Sequence, residues 1–189
     1  MKRNDYIPQA GYSGHLLVAS PTMDDARFSH SVVLVCDHTS EGSFGLIVNK
    51  ILMNSCSPLL GDFSIDRSVV DLPVYYGGPV RPDYGYVIYA PYNDRYQSIL
   101  VKEGLAVTAS KEILHDIAAG KGPEHYVFAL GFAGWGSDQL EEELMEDIWI
   151  VAPLDPDVIF RVPVEERWKR AAGLIGVDFS RYSDKTGHA

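Results

Sequence analysis

The chain has 189 residues, 46% of them hydrophobic and 22% charged, enough apolar side chain for one well-buried core and too little length for two. Sixteen Lys and Arg stand against 26 Asp and Glu, a formal net charge of -10. This composition excludes a disordered, collagenous or coiled-coil chain, and such an anion repels phosphate backbones at long range, so nucleic acid is not an expected partner. No apolar run reaches the ~18–20 residues of a membrane-spanning helix.

Residues 1–12 read as an extended tail and residues 13–189 as a single domain. The two basic residues at the start are followed by no apolar stretch, so a cytoplasmic protein without a secretory signal is expected. His15–Ala19, Ser31–Cys36 and Phe44–Val48 are rich in Val, Leu and Ile and are predicted strands. Thr39–Gly42 reads as a hairpin-like connection between the last two. Leu52–Asp62 is ambiguous, with a short helix ended by Gly61 as one reading. Pro73–Tyr76, Tyr84–Tyr89, Gln97–Val101 and Leu105–Val107 are further predicted strands, with turns at Gly77-Gly78-Pro79 and Tyr92–Arg95.

Helices are predicted later in the chain. Thr108 or Ser110 can cap Lys111–Ala119, whose Ile113, Leu114 and Ile117 share one face and which Gly120 ends. The strand His125–Phe132 follows. Asp138 opens a second helix to about Asp147, and Asp138 with Glu141 has capping-box spacing. Then come the strand Ile148–Ala152 and a third helix over about Val164–Leu174. Strands dominate the first half and mix with helices in the second, an α+β pattern.

Several constellations bear on chemistry. Gly131-Phe132-Ala133-Gly134-Trp135-Gly136-Ser137-Asp138 lies where a phosphate loop would, between a strand and a helix. Its glycines run GxxGxG, however, and Asp138, Glu141, Glu142 and Glu143 already complement the helix dipole. A tight turn that packs Trp135 over the core is the simpler reading. In Cys36-Asp37-His38, strand alternation places Cys36 and His38 on one face, as a nucleophile and base would need; structural residues at a strand end are the competing reading. The two cysteines read as free thiols, or as one disulfide. None of the six histidines has a metal-ligand spacing, so neither metal nor cofactor is expected. The six acids from Asp138 to Asp147 read as a solvated helix face, or as a docking face for a basic partner. Arg161, Arg167, Lys169 and Arg170 form the best basic cluster, interrupted by Glu165 and Glu166.

The segments Gly14-His15-Leu16-Leu17-Val18-Ala19-Ser20-Pro21, Gly45-Leu46-Ile47-Val48-Asn49-Lys50, Pro73-Val74-Tyr75-Tyr76-Gly77-Gly78-Pro79-Val80 and Leu130 through Glu141 occur in the same order as in the YqgE/AlgH family of bacterial proteins, which the chain resembles from about residue 12 to its end. The chain departs from the family at Ser20, Ile51 and Ser137-Asp138. The resemblance implies a single α+β domain whose bifurcated sheet curls into a pseudo-barrel flanked by helices. It supplies no catalytic residues. One member's name is tied to regulation of alginate synthesis, and members carry a transcriptional-regulator label.

Three functions follow as expectations. The first is a regulatory binding module acting through a protein partner or small ligand, with the Gly77–Arg81 turn (Gly77 and Gly78 permitting close approach), Asn49 and Trp135 as contact surface. The second is an enzyme whose site is assembled from His15, Arg27, His38 and Asn49, which requires these side chains to share one pocket. Direct DNA binding ranks third, since no basic recognition helix is visible.

Overall fold

The computed structural model describes residues 11–56, 72–102 and 104–179. Ten strands follow in chain order: β1 (His15–Ala19), β2 (Val32–Thr39), β3 (Gly42–Ile47), β4 (Ile51–Met53), β5 (Val74–Tyr76), β6 (Val80–Ala90), β7 (Ser98–Lys102), β8 (Leu105–Thr108), β9 (His125–Gly136) and β10 (Trp149–Pro153). Among the described residues four short helices accompany them: α1 (Lys111–Ala118), α2 (Gln139–Met145), α3 (Pro156–Phe160) and α4 (Arg167–Gly173), the last entered through a 3-10 turn at Val164–Glu166.

The strands run β10-β1-β2-β3-β9-β6-β8-β7, with β4 and β5 branching from β9. The branch point is β9. Its last residues, Ala133–Gly136, pair antiparallel with β3, while Phe128–Leu130 pair with β5 and His125–Leu130 with β6. The β5–β9 pairing is the one parallel ladder among the described residues. The path ends at β10 and β7, which do not pair, so the bifurcated sheet the family resemblance implies is present but is not closed into a barrel. Closure would need a β7–β10 ladder; the two arms instead pack face to face.

That packing explains the uninterrupted apolar runs. Leu16, Val18, Leu34 and Leu46 on one arm meet Ile88, Val101 and Val107 from the other, in a core closed by Val158, Ile159 and Trp168. The alternate residues Leu17, Ala19, Val33, Val35 and Ile47 face outward and are covered by Leu140 of α2 with Trp135 and Trp149. On the other arm, Val87, Tyr89 and Ala106 are covered by Ile113, Leu114 and Ile117 of α1. A strand buried on both faces has no polar alternation to display.

At the fork, backbone meets backbone. Gly77 donates to Leu130 O at 2.8 Å and accepts from Ile47 N at 2.8 Å, joining β3 to β9 where they diverge. A Cβ on Gly77 would stand 2.2 Å from Gly131 O, and one on Gly78 2.2 Å from the carbonyl carbon of Phe132. These two glycines are therefore required by packing at the fork.

Other expectations meet the structure in detail. Ser110 caps α1, accepting from Glu112 N at 3.2 Å, while Thr108 bonds Gln97 O at 2.6 Å. The stretch read as a tight turn beyond Phe132 is strand: β9 continues to Gly136, because β3 supplies a ladder for Ala133–Gly136. No phosphate-type loop is formed there. The Asp138–Glu141 capping box is also absent. Asp138 takes a left-handed conformation (φ 60°) with no side-chain cap, and Gln139 Oε1 accepts from Gly136 N at 3.0 Å instead. Both cysteines are buried, in separate clusters, and they form no disulfide with each other. Of Leu52–Asp62, Leu52 and Met53 lie in β4, and residues 57–62 fall outside the described residues. Short α3 was not expected from the sequence, although Asp155 caps it with Pro156 in its first turn.

Candidate functional site

The basic cluster does not survive as a patch. Arg167 is buried, donates to Val162 O at 2.9 Å and to Val48 O, and lies over Tyr75. Arg161 and Arg170 pair with Asp157 and Asp155 at 3.0 and 3.1 Å.

Cys36 and His38 also part company. A β-bulge between Val35 and Asp37 makes Cys36 the extra residue and resets the alternation beyond it. Cys36 points into the inner core, where burial pushes its thiol pKa far up. His38 reaches α2 on the other face: Nδ1 lies 2.8 Å from Ser43 Oγ, Nε2 lies 3.3 Å from Glu141 Oε1, and Tyr12 packs edge-on at 5.0 Å. The nucleophile-and-base reading of Cys36 with His38 is therefore excluded by the bulge.

The four polar residues proposed for an enzyme site fall into two groups. His15 Nδ1 lies 3.2 Å from both Tyr12 O and Ser13 O, so His15 and His38 flank the Tyr12 segment. Burial holds the His15 imidazole below the usual histidine range, with those two carbonyls opposing. Asn49 accepts from Val32 N at 2.7 Å and donates to His30 O at 2.8 Å, so both ends of its amide strap the chain. Arg27 lies in the Ser20–Ser31 loop, held from below by Lys50, whose Nζ donates to Arg27 O at 2.9 Å. Burial keeps that ammonium below the usual lysine range.

A groove of about 470 Å³ gathers different residues. One wall is the Thr22–Phe28 loop, the floor is Gly134 and Trp135 of β9 with Trp149 of β10, and the far wall is Gln139, Glu143, Glu146 and Asp147 of α2 and its exit; Pro79 and Val80 close one end. Asp25 organises the loop: its Oδ1 accepts from Arg27 N at 2.9 Å, and its carboxylate takes the Arg27 guanidinium in a fork at 2.6–3.2 Å. Those hydrogen bonds hold the Asp25 carboxyl below the usual carboxylate range and Arg27 above its ordinary value.

Glu143 ties the floor to the helix. Trp135 Nε1 and Trp149 Nε1 both donate to its Oε2, at 2.8 and 2.7 Å, and Gln139 Nε2 donates to its Oε1 at 2.9 Å. The two indoles meet edge to face at 5.9 Å, and Phe28 meets Trp149 likewise at 5.6 Å. A seven-residue helix is unstable alone, and Leu140 is the one residue α2 buries fully, worth about 1.5–3 kcal/mol. The Glu143 knot is thus a substantial part of what seats α2. Five carboxylates (Asp24, Asp25, Glu143, Glu146 and Asp147) line the groove against the single guanidinium of Arg27.

Of the residues expected to form a contact surface, Trp135 lines this groove and the Gly77–Arg81 turn contributes Pro79 and Val80; of those expected to form an enzyme site, Arg27 alone lines it. Gly77 and Gly78 serve the fork, and Asn49 is turned to the backbone. Glu143, Trp149, Asp25 and Phe28 were not anticipated. The available signal was the acid run itself: Glu143 lies one helical turn from Gln139, toward the two tryptophan-bearing strands. Among the described residues, no group of three or more His, Cys, Asp or Glu is placed to hold a metal, and no helix is long and apolar enough to cross a membrane.

The chain is thus a single-domain, mostly antiparallel β protein with an open, forked sheet and, among the described residues, four short helices. It belongs to the AlgH-like family, whose model matches residues 16–180. It is 37% identical to a UPF0301 protein of Thioalkalivibrio sulfidiphilus over 95% of this chain and 98% of that one. A UPF0301 protein of Stenotrophomonas maltophilia is 42% identical over 96% and 98%. Among solved structures, the AlgH protein of Pseudomonas aeruginosa superposes with a TM-score of 0.77 at 35% identity, covering 97% of this chain and 99% of that one. Protein DIP2367 of Corynebacterium diphtheriae shares the fold, with a TM-score of 0.75 at 19% identity over 96% of each chain.

Proposed function

We propose that the chain is a regulatory binding module whose contact site is the groove beside Trp135. The observation that carries this reading is the prearranged floor: Glu143 fixes Trp135 and Trp149 in place before any ligand arrives, which lowers the ordering cost of binding. The regulator label of the family is compatible with a module that acts through a protein partner or a small ligand. Five carboxylates in the groove disfavour direct contact with DNA. The test combines a thermal-shift screen of small ligands with pull-down at physiological salt, each on the wild type and on a Glu146→Lys/Asp147→Lys variant. Ligand shifts or partners seen with the wild type alone support the reading. Their absence, or their persistence in the variant, refutes it.

A second reading rests on one observation. Ser43, His38 and Glu141 stand in the order of a nucleophile, base and carboxylate, at 2.8 and 3.3 Å. In such a site Ser43 Oγ would add to the acyl carbon of an ester as His38 takes its proton, the alcohol would leave with that proton as the ester C–O bond breaks, and water deprotonated by His38 would then release the acid and restore Ser43. Ser43 is only 9% exposed, which ranks this reading second. Labelling by a fluorophosphonate probe that is lost in Ser43→Ala would support it; no labelling of the wild type would end it.

A further inference from the structure

We infer that the groove receives an arginine side chain presented by an extended protein segment, with its guanidinium set among the carboxylates and against the aromatic wall. The inference deepens the binding-module reading and rests on it. Three observations support this occupant.

First, Asp24, Glu146 and Asp147 line the groove, yet none of them appears in an ion pair among the described residues. Their charge complements a cation. Second, the groove already accommodates one guanidinium. Arg27 forks onto Asp25 and lies 5.9 Å from the Phe28 ring, so a carboxylate and an aromatic face are already set for a planar donor. The Arg27–Asp25 pair is exposed, so solvent screens it and an incoming guanidinium can compete for Asp25. Asp25 would not lose its loop on exchange, because its bond from Arg27 N is to the backbone. Third, Met23, Val80 and Ile148 give the same groove apolar surface for residues flanking the arginine. A free guanidinium would leave that surface uncovered, and about 470 Å³ is far more than one such group fills. An ammonium would fit less well, since it is more strongly hydrated and cannot fork onto a carboxylate.

Arg27 is then an internal competitor. It occupies Asp25 and repels an incoming cation, so removing it strengthens binding.

The experiment titrates the full chain with an end-blocked pentapeptide carrying arginine between two leucines, and with its neutral citrulline counterpart. Tryptophan fluorescence is the readout, since two of the three tryptophans line the groove. The arginine peptide is expected to bind at least about five-fold tighter than the citrulline peptide. Arg27→Ala should tighten arginine-peptide binding several-fold. Glu146→Gln/Asp147→Asn should weaken it roughly five-fold at low salt and flatten its salt dependence. Both positions are exposed, and Asn suits the left-handed conformation of Asp147 (φ 56°), so this variant should keep the wild-type Tm. Equal binding of the two peptides, no binding at millimolar peptide, or weaker binding to Arg27→Ala overturns the inference. If a small ligand shifts the wild type but not the Glu146/Asp147 variant while the peptides fail, the groove remains the binding site and only the arginine assignment falls.

Discussion

Replacing Glu143 with alanine removes one acceptor from three donors: Trp135 Nε1 at 2.8 Å, Trp149 Nε1 at 2.7 Å and Gln139 Nε2 at 2.9 Å. Hydrogen bonds to a charged acceptor contribute about 1.5–3 kcal/mol each, and the two indoles are buried, so their N–H groups lose most. All three donors border the groove, however, and water entering the vacated space recovers part of the loss. The expected cost is about 2–4 kcal/mol, or a fall in Tm of roughly 5–12 °C for a chain of this size. Glutamine at the same position is the informative control. Both indoles meet one oxygen, Oε2, so an amide oxygen placed there keeps both bonds. The amide NH2 then faces the donating Nε2 of Gln139, so that bond is lost and the two indole bonds weaken to those of a neutral acceptor, a cost of about 1–2 kcal/mol after solvent compensation. Urea unfolding of wild type, Glu143→Ala and Glu143→Gln, with tryptophan emission as probe, separates the two. A Glu143→Ala variant within about 0.5 kcal/mol of wild type, or a Glu143→Gln variant as damaged as Glu143→Ala, would refute the view that this carboxylate seats α2 on the sheet.

Asn49→Ala strands the Val32 N–H, whose residue is fully buried, and is expected to cost about 1–3 kcal/mol in chemical denaturation; a neutral result would mean that the strap to His30 and Val32 is incidental. Gly78→Ala drives a Cβ to 2.2 Å from the Phe132 carbonyl carbon and should cost more than about 3 kcal/mol or abolish folding, whereas Gly173→Ala in α4 meets nothing within 4 Å and should be neutral or stabilise by up to about 1 kcal/mol. Equal effects of the two would contradict the backbone-on-backbone account of the fork. Tyr96 donates to Asp116 at 2.8 Å, and burial, with that acceptor, pushes its phenol pKa to about 12. The folded value lies above the unfolded one of about 10, so the contribution of Tyr96 is complete below pH 10 and is lost as pH rises towards 12. Stability measured against pH for wild type and Tyr96→Phe should therefore converge over that range; a constant gap would refute the assignment.

Local chemistry in the chain determines much of this protein. Apolar runs bounded by turn residues locate most of the strands, Ser110 and Gly120 bracket α1, and the order of the family segments anticipates a forked sheet. What lies beyond reach depends on long-range pairing. Ala133–Gly136 has the composition of a turn and becomes strand because β3 lies alongside to pair with it. The bulge that separates Cys36 from His38 is a property of two strands in register, not of one. Gly77 and Gly78 resemble flexible contact residues in the sequence, yet the fork requires them because the β9 backbone leaves no room for a Cβ. The groove is the extreme case: it joins the Thr22–Phe28 loop, the head of β6, the end of β9 and α2 with the start of β10. Periodicity reports which face of a segment is apolar, but not which distant segment will cover it. The acid run around Glu143 therefore reads as solvated until the fold sets two indoles against it.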